Sequence, residues 1–205
     1  MAKTAFKKTG RWAQLKRAWD PRTYERVSRR HIRKATSINA MLAVRSIRYM
    51  IGKGDLAPNA PLTIAIKGAG KRPLVDTGDL RQAVTHKVIN DFVAFAGVLM
   101  TDDKYNIAVT LHDGAEIGVT EAMRTMFWVL WLKSTHRPDL KLEGRAAELY
   151  KRFKGPWYPL SAKTTAIIIP ARPFVRYAFA DPELHRHAKA NWQRAINATF
   201  RELAK

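Results

Sequence analysis

The sequence predicts an α+β fold, and three observations carry that prediction. Residues 24–50 repeat apolar side chains at helical spacing, two runs of alternating side chains flank Asn90-Asp91, and a second helical stripe begins at Asp181-Pro182. The 205 residues divide into a basic N-terminal arm, 1–22, and one α+β domain, 23–205, with a helical insertion at about 121–160.

The arm is punctuated by Gly10 and by Asp20-Pro21 and carries Trp12, Leu15 and Trp19. Their spacing allows one short amphipathic helix against a partner, and fraying is equally open at a terminus. From Tyr24 to about Met50, Val27, His31, Ala35, Ile38, Leu42 and Tyr49 form one stripe with Met41 beside it; a helix there spans about 40 Å. Gly52-Lys53-Gly54 ends it. Leu62, Ile64 and Ile66 alternate in a short strand or extended arm. In Leu74–Arg81, Asp76 or Thr77 can accept backbone N–H bonds to close an Asx turn or cap a short helix. Gly78 permits the tight turn, and Leu80 points to the core.

Residues 83–89 and 92–100 form a β-hairpin about Asn90-Asp91. Residues 105–114 fit a strand or a short helix equally and end at Gly114. An apolar, Trp-rich helix is expected at 121–135 and a more charged one at 139–153, with a strand at 163–170. The linker Ala171-Arg172-Pro173-Phe174 is rigid. Asp181, Pro182 and Glu183 make a well-formed helix start, after which Leu184, Ala188, Trp192, Ala195, Thr199 and Leu203 run in one stripe.

Composition narrows the function classes. With 46% apolar residues the chain can build a core, and with no Cys it has neither disulfides nor thiolate chemistry. The longest apolar run, Met126–Leu132, is far short of the ~20 residues that span a bilayer, so a soluble chain without a membrane partner is expected. Net charge is +20, and residues 1–53 alone hold 15 Lys/Arg against 2 acids. Such a field favours polyanions, and Arg26, Arg29, Arg30, Arg33 and Lys34 are the candidate phosphate contacts.

No catalytic constellation accompanies that charge. Gly68-Ala69-Gly70-Lys71 has the wrong spacing for a phosphate-cradling loop, and Arg72-Pro73 follows it. His185 and His187 lie two apart in a helix and cannot chelate one ion together. His112, beside Asp113, has no nucleophile or second base and reads as a hydrogen-bonded structural histidine. Asp102-Asp103 reads as a solvated turn. Catalytic residues, cofactor and metal are therefore all expected to be none.

Three stretches occur in order: Pro73-Leu-Val-Asp-Thr-Gly-Asp-Leu-Arg81, Leu111-His-Asp-Gly114 and Ile169-Pro-Ala-Arg-Pro-Phe-Val175, bounded by a long first and a long last helix. This arrangement resembles the virion-morphogenesis and minor-tail family of tailed bacteriophages and prophages. The resemblance covers roughly residues 24–52, 73–120 and 161–204, and Val119–Arg124 adds to it; the arm and residues 125–160 depart from it.

The resemblance implies a small antiparallel sheet packed against the long helix. It implies a structural ring subunit, six-fold, that completes the tail or joins it to the head, located in the virion neck or tail and in the host cytoplasm during assembly. Its partners would be copies of itself, neighbouring neck, connector or tail-tube proteins, and DNA passing through the bore. The structural motif residues would be Asp76, Thr77, Gly78, Leu80, Arg81, Ala171, Arg172, Pro173 and Phe174. Phe174 would enter the core, and Arg172 could pair with Asp76 or Asp79. Trp12, Trp19, Trp128 and Trp131 are candidate partner contacts, with internal core the alternative for 126–132. The competing reading is a basic nucleic-acid-binding protein using residues 3–48; an enzyme is the least supported.

Overall fold

The computed structural model describes Lys16 and residues 20–60, 72–75, 78–98, 107–152 and 157–205. The fold is α+β. In chain order it contains α1 (Pro21–Lys53), α2 (Asp79–Ala83), β1 (Val84–Val88), β2 (Ala94–Val98), α3 (Ile107–Asp113), β3 (Ala115–Gly118), α4 (Glu121–Thr135), α5 (Gly144–Arg152), β4 (Ala166–Ile169), α6 (Phe174–Phe179) and α7 (Pro182–Leu203). The strands form two separate antiparallel pairs, β1-β2 and β3-β4, rather than one sheet. Two compact units result. The first takes the described residues up to Ser46, with Thr85–Gly97 and Ala178–Lys205; the second takes Ile47–Val84 and Val98–Tyr177.

Helix α1 starts earlier than its apolar periodicity suggests. Asp20 caps it, its carboxylate accepting from Thr23 N at 2.9 Å, and Pro21 fills the first helical position, where a missing N–H costs nothing. Hydrogen bonds from the Thr23 side chain and then its backbone N–H hold the Asp20 carboxyl below its ordinary value. Past Lys53, Gly54 adopts φ 87°, the left-handed conformation of a terminating glycine.

The stripe expected on α1 is only partly correct. Val27, Ala35, Ala43, Ile47 and Ile51 are buried, with His31 and Asn39 half-buried between them, whereas Ile38, Met41 and Tyr49 stand in solvent. Burial steps by four residues. Each step advances roughly 40° beyond a full turn, so the buried seam winds about two-thirds of the way around the helix between 27 and 51.

In the first unit α7 lies antiparallel along α1. The contacts that show it are Arg30 and His31 with Glu202 and Asn39 with Asn191; Ser46, further along α1, donates to Ala178 O at the end of α6. Small buried side chains on α1, Ser28, Ala35, Ala40 and Ala43, allow close approach. One part-buried amide pair crosses this interface, Asn191 Nδ2 donating to Asn39 Oδ1 at 2.8 Å. The β1-β2 hairpin also packs on α1. Thr36 Oγ1 donates to Asp91 O at 2.5 Å, and the Asp91 carboxylate lies 3.9 Å from Arg29 and 3.7 Å from Arg33. Asn90 Oδ1 closes the turn by accepting from Phe92 N and Val93 N.

In the second unit β3 and β4 pair from Ala115↔Ile169 to Gly118↔Ala166. Helix α4 follows, capped by Thr120, whose side chain accepts from Met123 N at 3.3 Å. Arg124 on α4 fastens the approach to β4 by donating to the carbonyls of Ser161 and Thr164. The ambiguous 105–114 segment is helical over Ile107–Asp113. The charged helix is shorter than expected, Gly144–Arg152, because Pro138 and the residues after it form turns.

Candidate functional site

Two of the three motif stretches meet in the second unit and form one latch. Gly114, between α3 and β3, has φ 81°; a Cβ there would lie 2.9 Å from both Ala171 N and Ile169 O. Glycine thus supplies both the backbone conformation and the space for the linker to pass. The linker is tied down in return, since Arg172 N donates to Leu111 O and His112 O, both at 3.1 Å. Phe174 is fully buried, with the His112 ring edge-on at 5.4 Å between centroids. His112 Nδ1 lies 2.5 Å from Asp113 Oδ1, so the imidazole orients packing, and no nucleophile adjoins it among the described contacts.

Arg172 is the least expected part of the latch. Its side chain is 5% exposed and donates to Ala57 O at 2.8 Å, Pro58 O at 3.0 Å and Asn59 Oδ1 at 3.3 Å. Of the two pairings considered from sequence, the one with Asp76 lies outside the described residues, and Asp79 is not among the acceptors of these bonds. Burial pushes its pKa down, and no carboxylate among the described residues offsets that. Asp76 and Thr77 lie outside the described residues, as do Trp12, Trp19, Asp102, Asp103 and the alternation at Leu62, Ile64 and Ile66. Of the remaining motif residues, Gly78 takes φ 92° at the start of α2 without a side-chain cap, and Leu80 is buried. Arg81 is exposed. Pro73 and Leu74 form a turn in which Leu74 itself takes φ 64°.

The Trp-rich helix α4 splits its aromatic residues between core and surface. Leu130 is fully buried and Phe127 packs edge-on to the buried Trp157 at 6.0 Å, while Trp128 is 50% exposed. Trp131 is half-buried against the His136 ring.

The structure divides the candidate polyanion contacts in the first unit. Arg29 and Arg33 turn toward Asp91, and Arg29 also reaches Glu25 at 2.9 Å. Arg30 is bound to Glu202. Arg26 and Lys34, one turn to either side of Arg30, make no ion pair among the described residues. The sequence reading missed the contribution of α7. Arg194, Arg201 and Lys205 line one shallow concavity with Asn197, Ala198 and Glu202, on the side of α7 that Arg30 reaches. The seven-residue and four-residue steps between those cations were visible in the sequence; their meeting with Arg30 was not.

Among the described residues no group of three or more His, Asp or Glu side chains is placed to hold a metal ion. No described helix is long and apolar enough to cross a membrane. Comparison with protein-family models, curated proteins and solved structures finds no match for this chain.

Proposed function

We propose that this chain is a structural ring subunit of a tailed bacteriophage, one that completes the tail or joins it to the head by packing against copies of itself. The observation that carries the reading is the end of the β1-β2 hairpin. Ile89, Phe92 and Val93 are 63%, 66% and 47% exposed, a contiguous apolar knob. The knob is also held rigidly, because Asn90 closes the turn and Asp91 is tied to Thr36 and lies between Arg29 and Arg33. A preorganised aromatic anchor suits a recurring protein contact better than a solvated turn does.

Two further features support the same reading. Among the described residues both strand pairs have unpaired edges, and Ile168 on β4 is 71% exposed. The Leu111–Gly114 and Ile169–Val175 stretches, which carry the phage resemblance, serve packing through Gly114, Arg172 and Phe174, as motifs of a building block should. Identical interfaces repeated around an axis close into a ring, and the resemblance gives that ring six-fold symmetry.

The test is electron microscopy of the purified chain beside a Phe92→Asp variant. Annular particles are expected from the parent and dispersed protomers with unchanged circular dichroism from the variant. Annuli from both would remove the hairpin from the interface, and annuli from neither would remove the ring.

A further inference from the structure

We infer that the face shared by α1 and α7 binds the phosphate backbone of double-stranded DNA. Six cations border it: Arg26, Arg30 and Lys34 from α1, Arg194 and Arg201 from α7, and Lys205 just past its end. The link between the two rows is observed directly. Arg30 donates to Glu202, and Glu202 lines the concavity formed by Arg194, Arg201 and Lys205. Glu202 is also the one acid at that concavity, and it is spent on Arg30 and His31; the other five cations make no ion pair among the described residues. Unpaired like charges held on neighbouring rigid helices repel one another, and a polyanion relieves that repulsion.

The spacing selects an extended ligand. Along α1 the cations recur about every 6 Å, and on α7 Arg194 and Arg201 lie about 10 Å apart at 1.5 Å per residue, with Lys205 just beyond the helix end. Two or three cations satisfy an isolated phosphate, whereas six strung over about 16 Å suit a duplex, which carries one charge per ~1.7 Å of axis. Single-strand recognition would need aromatic platforms among the cations. The exposed aromatic on this part of α7 is Phe200, which precedes Arg201 and so points roughly 100° away. Arg29 and Arg33, turned to Asp91, belong to the hairpin contact instead. This inference does not rest on the ring reading, since a protomer or a ring can bind through the same face.

Fluorescence anisotropy of a 30-base-pair duplex against the full chain, from 50 to 300 mM salt, tests it. The R194A/R201A/K205A variant should bind about tenfold more weakly or worse at 150 mM salt. The slope of log affinity against log salt should shrink by about 3. Glu202→Gln should act in the opposite direction and tighten binding severalfold, because it frees Arg30 and removes the one acid among the described residues lining the concavity; a variant that merely loosens the fold cannot do that. Lys163→Ala, in the second unit, should change nothing. An unchanged slope in the triple variant, weaker binding by Glu202→Gln, or a single strand of the same length binding as tightly as the duplex would each overturn the assignment. Duplex binding that persists in a Phe92→Asp protomer would leave this inference standing while bearing separately on the ring.

Discussion

At Arg172 a guanidinium sits in the interior, and its acceptors among the described residues are carbonyl oxygens rather than a carboxylate. Such a group is costly to bury and costlier to remove, because truncation leaves the Ala57 and Pro58 carbonyls without donors. Arg172→Ala should therefore destabilise the protein by about 3 kcal/mol. Arg172→Lys should recover little of that, since an ammonium cannot span the same fork of acceptors. Urea denaturation midpoints measure both, and parent-like midpoints would show the latch to be dispensable. Gly114→Ala probes the other half of the latch. A left-handed φ and a backbone collision at 2.9 Å together predict a loss of at least about 2 kcal/mol by the same measurement. The glycine was legible in sequence as a terminator. Its second duty, letting Ala171 pass, was not, because 57 residues separate the two and no local pattern encodes that contact.

Among the elements, the helix ends follow local chemistry and were readable wherever the signal was recognised. Asp181-Pro182 starts α7 as expected, with Asp181 Oδ1 accepting from Glu183 N at 3.0 Å. Asp20-Pro21 is the same signature, but within a basic stretch it read as punctuation of the arm, and α1 begins there. Asp181→Ala should cost about 1 kcal/mol, read as a lower denaturation midpoint. Which face of α1 is buried was less legible. A straight 3.6-residue stripe assumes one neighbour along one side, and it selected Ile38 and Tyr49 over Ala40, Ile47 and Ile51. Burial on α1 instead winds with the four-residue step, and small residues such as Ala40 and Ala43 carry little hydrophobic signal for their position. The hairpin was easier, since the turn chemistry of Asn90 acts within three residues.

Over the whole molecule, charge couples the first and last helices. Hydrogen bonds from His31 and Arg30 hold the Glu202 carboxyl below its ordinary value of 4.5. A carboxylate depressed in the folded state contributes stability that is present above its unfolded value and lost as the pH falls through the lower folded one. Thermal melts between pH 7 and pH 3 should thus show the parent losing its advantage over Glu202→Gln in the acid range; parallel curves would show that the pair is energetically idle. The cationic face combines residues from both ends of the chain, so no sequence window could display it, although the net charge of +20 announced that a polyanion partner was worth seeking.

The central claim is that this chain assembles with itself, and the mass of the purified full-length protein in solution tests it most directly. Sedimentation equilibrium or native mass spectrometry at micromolar concentration should give a closed oligomer, with six copies of the 23.3 kDa chain on the six-fold reading. A 23.3 kDa species at every concentration would contradict the account.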